Sequence, residues 1–419
     1  MVGLSPSPIN AKTKLKIWLE ASEGEEALPQ MEKKFEKENP DLDIDWFVVP
    51  WSGHLERLAT AIAADTLPDI CLSYIGWIAG WYYPNNLLVP LDQFMGKGGI
   101  TKENIPGIEK YHYTYKGKVY AIPNYEMIHF DVQNVDMFKR AGVPLMPQDH
   151  PLSYKEFTEV SKKLTQDFNG DGTPDQYARA YPGAPTMGAA TWTYSVFRTS
   201  GVDVIDMENN KFGLNNPTGL ETLRWLLDYD KKYSPPGDVG TTGIDVQNLF
   251  HEGIVATMAR AWLGQIFHMW PENYPDLNVE PAMAPRWNRD KGATYGTAAC
   301  YVMFKSCENR EDAWRWFQFY FGEENQKISS NIGGLPSPRK DVAGKYIQAE
   351  TEVQKRALEV MERIKPYTQS EECHPAYVEV YELTMSEIQA ARLGIKSPEK
   401  ALADAEIRAN EILEKYKDF

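Results

Sequence analysis

The first 72 residues alternate strand, helix, strand, helix, strand, and that order restricts the chain to one class of fold. Lys14-Leu-Lys-Ile-Trp-Leu19 alternates polar and apolar residues with the period of a strand. A helix then ends near Asn39-Pro40, Asp43 to Val49 reads as a second strand, a second helix spans about His54 to Asp65, and Asp69 to Leu72 reads as a third strand. This order predicts an α/β fold, a parallel sheet covered by helices on both faces. Ligands of such sheets gather at the carboxyl ends of the strands, where the loops meet.

A chain of 419 residues exceeds what one core can hold, since cores stop growing at roughly 250 to 300 residues. Two domains are expected. Helical patterns follow at Ser153 to Gln166, Asn216 to Tyr233 and Arg310 to Gly322, a strand-like run at Thr297 to Phe304, and an Ala-, Glu-, Lys- and Leu-rich end from about 350 that reads as helical throughout. Pro- and Gly-rich breaks stand at Tyr181 to Pro185, Ser234 to Gly237 and Gly333 to Pro338. The net charge of -15 argues against nucleic acid or an anionic membrane as partner and favours a neutral or cationic ligand. No apolar run approaches the eighteen or so residues that would span a bilayer. Cys71, Cys300, Cys307 and Cys373 show no Cys-x-x-Cys spacing, so a structural zinc site is not expected, and Cys71 and Cys300 read as buried thiols in apolar strands.

Several short motifs occur in a fixed order. Leu67-Pro-Asp-Ile70 steps into the third strand, and Leu88-Val-Pro-Leu-Asp92 follows. Gly117-Lys118 precedes Tyr120-Ala-Ile-Pro123, and Asn134 to Gly142 opens a helix. Phe250-His-Glu-Gly253 leads into Ala256-Thr-Met258, then Ala313-Trp-Arg-Trp-Phe317 and Ser397-Pro-Glu-Lys-Ala401 mark late helices. Each is degenerate alone. In this order and at these separations they resemble the extracellular solute-binding proteins, family 1, that deliver sugars and oligosaccharides to ABC importers. One departure is Leu152-Ser153-Tyr154, where the family has Thr-Trp; Ser153 can still cap the helix that follows.

The resemblance implies the two-lobed, type II periplasmic-binding-protein fold, each lobe a mostly parallel sheet flanked by helices, with a hinge and a ligand held between the lobes. Lobe one would comprise 1–125 with 290–336, and lobe two 126–289 with 337–419. It also implies an oligosaccharide ligand, the transmembrane permease subunits of an ABC transporter as partners, a monomer, and no enzymatic activity. The start, Met1 to Asn10, lacks the basic region and apolar core of a signal peptide, so the protein is either cytosolic or an exported protein whose signal has been removed. The resemblance favours an extracellular or periplasmic protein, anchored as a lipoprotein in its full-length form.

A sugar offers hydroxyl edges and weakly apolar C–H faces, so its site needs planar hydrogen-bonding groups beside aromatic rings. Most of the 12 Trp and 23 Tyr must fill cores, and Trp18, Trp46, Trp225, Trp314 and Trp316, which lie in patterned elements, are assigned there. Loop aromatics near strand ends are the better candidates. These are Trp51, Tyr74 and Trp77 in the first lobe, and Trp192 and Trp262 in the second, with Arg260 beside Trp262. Trp287 and Tyr295 lie on the return crossing, Glu126 and Glu23 could accept hydroxyl hydrogen bonds, and His374 and Tyr377 could edge the cleft.

Asp167-Phe-Asn-Gly-Asp-Gly-Thr-Pro-Asp175 places oxygen side chains of Asp167, Asn169, Asp171 and Asp175 at positions one, three, five and nine of a calcium loop. Gly172 stands at six and the Thr173 carbonyl at seven. Ala178 stands where a bidentate Glu would complete the pattern, so a structural Ca2+ or a plain Asp-Gly turn both fit. His251-Glu252 is not a metalloprotease helix, because Val255 occupies the position of the second His. No nucleophile elbow, phosphate loop or dinucleotide fingerprint occurs. Two alternatives to the oligosaccharide-binding reading stay open: the same scaffold binding a peptide or polyamine, and an extracellular glycosidase, which needs only two suitably spaced carboxylates.

Overall fold

The computed structural model describes residues 12–20, 28–49, 54–105, 108, 113–287, 294–333, 336–343, 345–370 and 373–417. The expectations for Glu23, Trp51 and the side chain of Glu126 fall outside them. By its internal contacts the chain forms two compact units. Unit one comprises Met1–Tyr74, Asn85–Tyr125 and Ala299–Ile347; unit two comprises Ile75–Pro84, Glu126–Ala298 and Gln348–Phe419. Residues 75–84, expected with the first lobe, pack with unit two, and the last segment of unit one is Ala299–Ile347 in place of 290–336.

The strands that organise the units are β1 (Thr13–Glu20), β2 (Leu42–Val49), β3 (Ile70–Tyr74), β4 (Ala121–Ile128), β5 (Phe130–Asn134), β6 (Thr257–Ala261), β7 (Val279–Ala282), β8 (Thr294–Met303) and β9 (Thr368–Ser370). In unit one the order is β2-β1-β3-β8, with β1 parallel to β2 and β3, and the Ala299–Met303 part of β8 antiparallel to β3. Leu15, Ile17 and Leu19 face the core from β1 while Lys14 and Lys16 face solvent, as the alternation requires. β3 lies between two neighbours and is buried along its whole length, which is why Ile-Cys-Leu-Ser-Tyr shows no alternation. Cys71 and Cys300 are buried there, their thiols donating to the Leu72 and Ser73 carbonyls at 3.0 and 3.4 Å. The helix Leu28–Glu38 buries Met31 and Phe35. The Phe35 ring meets Trp316 and Phe319 of the helix Arg310–Tyr320 edge-on at 5.3 and 5.2 Å, and burying one such ring stabilises by about 2–3 kcal/mol.

Unit two corrects the expectation of a mostly parallel sheet in each lobe. Its three-stranded sheet runs β6-β5-β7, and β5 is antiparallel to both neighbours. Around it pack the helices Tyr154–Leu164, Met187–Ser200, Pro217–Tyr233, Tyr377–Arg392 and Pro398–Glu414. Ser153 caps the first of these in a reciprocal capping box with Glu156, which supplies the start that Leu-Ser-Tyr keeps in place of Thr-Trp. Phe157 and Tyr229 stack at 5.7 Å across the core. The C-terminal stretch is also not helical throughout: β9 interrupts it and pairs in parallel with the start of β8, Thr294 opposite Thr368.

Arg392, near the end of the helix Tyr377–Arg392, is buried between two carboxylates. Its Nε lies 2.7 Å from Asp230 and its Nη2 3.1 Å from Asp238, and Nη2 also donates to the Tyr181 carbonyl at 2.8 Å. Gly183 has to be glycine, since a Cβ there would stand 2.5 Å from both Arg392 Nη1 and the Val239 carbonyl. One guanidinium cannot neutralise two buried carboxylates. Burial pushes Asp230 up to about 7; Arg392 opposes that rise and the Asp238 charge adds to it. A carboxyl whose folded value lies above its unfolded value stabilises fully below pH 4, and this contribution is lost as pH rises through 7. Asp230→Asn should therefore match the parent near pH 4 and exceed it at pH 8 by about 2–4 kcal/mol. Urea unfolding of both proteins at the two pH values measures the gap, and parallel pH dependences would contradict it.

Candidate functional site

At one end of the unit-two sheet, β6 carries a bulge between Met258 and Ala261. Arg260 sits in it with a left-handed backbone, φ 60°. A bulge re-aims the side chain it carries, and this one brings the guanidinium among aromatic rings. Its charge centre lies 4.1 Å from the Tyr295 ring centroid and 5.6 Å from that of Trp192. Nη1 donates to Thr191 Oγ1, and Nη2 meets His129 Nε2 at 3.3 Å.

His129 precedes β5, and its other nitrogen, Nδ1, lies 3.0 Å from the Arg260 carbonyl. A carbonyl only accepts, so Nδ1 carries the proton and Nε2 offers its lone pair to Arg260. Burial, then the neighbouring Arg260 charge, hold this imidazole well below its ordinary pKa, so it is neutral at physiological pH. Arg198 approaches Tyr295 at 5.5 Å and ties β9 down by donating to the Ser370 and Gln369 carbonyls at 3.0 and 3.4 Å.

Beneath this layer lies a fully buried ion pair of Arg179 and Asp131. Asp131 projects from the middle of β5, and Arg179 Nε donates to Thr257 Oγ1 at 3.0 Å, which in turn donates to the Ala178 carbonyl at 2.8 Å. The Arg179 guanidinium lies 4.4 Å over the Phe157 ring. Burial raises the Asp131 pKa against the pull of Arg179. A cavity of about 20 Å³, room for roughly one water, is lined by His129, Asp131, Tyr154, Arg179, Tyr181 and Tyr295 among others. The arrangement offers a fixed cation, a neutral imidazole and flat aromatic faces, a surface suited to holding a polar solute.

The family model of the bacterial extracellular solute-binding proteins matches residues 21–327. The chain belongs to this family. A binding protein of Brucella abortus is 25% identical over 392 residues, 92% of this chain and 89% of that one. Among solved structures, a solute-binding protein of Thermotoga lettingae bound with α-D-tagatose superposes with a TM-score of 0.82 at 22% identity, covering 96% of this chain and 100% of that chain. An ABC substrate-binding protein of Listeria monocytogenes in complex with cycloalternan gives 0.81 at 22% identity, covering 96% and 98%. The solute-binding protein thus has the type II periplasmic-binding-protein fold. Among its described residues no helix is long and apolar enough to cross a membrane.

The structure gathers some of the residues expected on the ligand and disperses others. Arg260, Trp192 and Tyr295 come together. Trp287 joins them indirectly, stacked at 5.1 Å on Tyr154, which lines the cavity. Trp262, two residues beyond Arg260, is half-buried, and its backbone N–H meets Gln265 Oε1 at 3.3 Å. Trp77 is buried in the 75–84 segment of unit two, and Tyr74, in unit one, meets Tyr125 hydroxyl to hydroxyl at 3.5 Å. His374 and Tyr377 are not brought to the cavity. His374 bonds Asn210 Oδ1 at 2.9 Å and the Ala376 N–H at 3.0 Å, and Tyr377 packs on Tyr381 at 4.2 Å in the core. Glu126 lies on β4.

The charged and imidazole groups of the candidate site that the sequence reading did not single out are His129, Asp131, Arg179 and Arg198. A lone charge inside an apolar stretch, as in Phe130-Asp-Val132 and Ala178-Arg-Ala180, was the available signal. The Asp167–Asp175 loop is held by its own turns. Asp167 accepts from the Gly170 and Gly172 N–H groups at 2.6 and 2.8 Å, Asn169 from Asp171 at 2.8 Å, and Asp175 from Phe168 at 2.7 Å. No three His, Cys, Asp or Glu side chains among the described residues converge as a metal site.

Proposed function

We propose that this protein binds an oligosaccharide and hands it to the permease of an ABC importer, as an extracellular, lipid-anchored monomer without catalytic activity. The observation that carries the reading is Arg260 set between the faces of Tyr295 and Trp192, with His129 fixed beside it as a neutral acceptor. Aromatic faces pack the C–H surfaces of sugar rings, and forked donors meet vicinal hydroxyls. Tagatose and cycloalternan, held by the two structural relatives, are both carbohydrates. His129 Nε2 faces a guanidinium, an arrangement suited to orienting donors and not to activating a nucleophile. Calcium at Asp167, Asn169, Asp171, Thr173 and Asp175 is proposed on the oxygen spacing of that loop, as a pin for the loop that follows the helix Tyr154–Leu164.

Intrinsic tryptophan fluorescence, titrated with a panel of neutral and acidic oligosaccharides in calcium and in chelator, tests both. Saturable binding of one glycan class without product release is expected, with a thermal midpoint raised by calcium by a few degrees, as mass action requires of any ligand of the folded state. Response to peptides or polyamines alone would replace the sugar reading, product formation would install the glycosidase, and identical melting in calcium and chelator would remove the metal.

A further inference from the structure

Among the described residues, most buried arginines lie against a carboxylate. Arg179 holds Asp131, Arg198 holds Asp203, Arg339 holds Asp341, and Arg392 holds Asp230 and Asp238. Arg286 is the exception. It is 2% exposed, yet among the described residues it makes no ion pair, and its buried Nε has no acceptor. What it faces is a ring: the guanidinium lies 4.3 Å over Tyr367. A cation–π contact attracts a cation but gives its N–H groups nothing to bond. Nε is the atom left buried and unpaired, and a buried donor without an acceptor is costly to keep.

The backbone around Arg286 is fixed. Its N–H donates to the Leu152 carbonyl at 2.9 Å and its carbonyl accepts from the Tyr154 N–H at 3.2 Å. Pro285, one residue before, lines the cavity beside Arg260, and Trp287, one residue after, stacks on Tyr154. Arg286 therefore belongs to the same end of unit two as the candidate site. The ring that covers it is 49% exposed. A ligand would reach the guanidinium by turning this ring aside.

We infer that Arg286 is an anion subsite, and that the solute it serves is an oligosaccharide carrying a carboxylate, a uronic acid unit. The inference rests on the carbohydrate reading for the carrier and on Arg286 itself for the charge. A planar guanidinium with free N–H groups matches a carboxylate in two parallel hydrogen bonds, which a hydroxyl cannot supply. An acidic protein with a net charge of -15 repels anions at long range, so an anionic ligand has to be recognised by a local cation of this kind.

The test is calorimetric titration with a neutral oligosaccharide and its counterpart bearing one uronic acid, on the parent protein, Arg286→Met and Arg286→Lys. The parent should bind the acidic sugar at least roughly tenfold more tightly, the effect of a hydrogen bond to a charged group. In Arg286→Met the ratio of acidic to neutral affinity should fall to near one, with an intermediate ratio in Arg286→Lys. The melting temperature of ligand-free Arg286→Met should hold or rise, because a buried N–H without an acceptor has been removed. Equal affinity for the two sugars in the parent, or a preference that survives Arg286→Met, overturns the subsite while leaving the carbohydrate reading intact. Binding of neither sugar overturns both.

Discussion

Asp131→Ala is expected to destabilise unit two by about 3–5 kcal/mol, the usual result of stripping one partner from a buried ion pair. Arg179 would be left buried against Phe157, Tyr181 and Thr257 and still charged. At roughly 2–4 °C per kcal/mol for a unit of this size, the unit-two transition should fall by about 10 °C. Removing both charges has a different outcome. Asp131→Leu combined with Arg179→Met should recover most of the loss, since a packed apolar pair often equals a buried ionic one. Calorimetry of the two variants beside the parent decides it, and a single variant that melts within a degree of the parent would show that Arg179 does not depend on Asp131.

Arg260→Ala should weaken solute binding by about a hundredfold or more, and should cost about 1–3 kcal/mol of stability because His129 Nε2 is left buried without a donor. The guanidinium touches Thr191, His129, Tyr295 and Trp192 together, and a central arginine of this kind carries a large share of binding energy. Arg260→Lys retains the charge and loses the fork, so its affinity should fall between the two. Because His129 titrates well below its ordinary value, parent affinity should stay flat through pH 6.5. Titration calorimetry across pH 5.5 to 8 reads all of this, and a loss of affinity centred on pH 6.5 would place a charged imidazole in the site.

The start of the first lobe was legible because its physics is local: Leu15, Ile17 and Leu19 alternate. The same holds for one helix of unit two, Val135–Ala141, which Asn134 caps and Gly142 ends in the left-handed conformation, each readable within a few residues. The unit-two sheet was not legible, because β5 and β7 are short, β5 is buried along its whole length, and β7 contains Pro281, so neither shows alternation. Strand direction depends on partners more than a hundred residues away, and no local pattern records it. Arg260 was found from its place after Ala-Thr-Met. The bulge that aims it was not, and neither was the pairing of Asp131 with Arg179, which local spacing does not encode. His374 was read as edging the cleft; in the structure its Nδ1 accepts the Ala376 N–H at the start of a helix.

β3 pairs on one side with β1, made shortly before it, and on the other with β8, where Ile70 meets Met303. While the chain is being synthesised, β3 therefore waits through most of translation with one edge unpaired and an Ile-Cys-Leu sequence along it. Pairing over such a span is slow to find, and an open apolar edge is a template for a second chain. The species most prone to aggregate is the half-made chain and not the finished protein. A truncation anywhere between Tyr74 and Ala299 would make that condition permanent, whereas one that removes only the last helix, Pro398–Glu414, leaves the β3 edge closed.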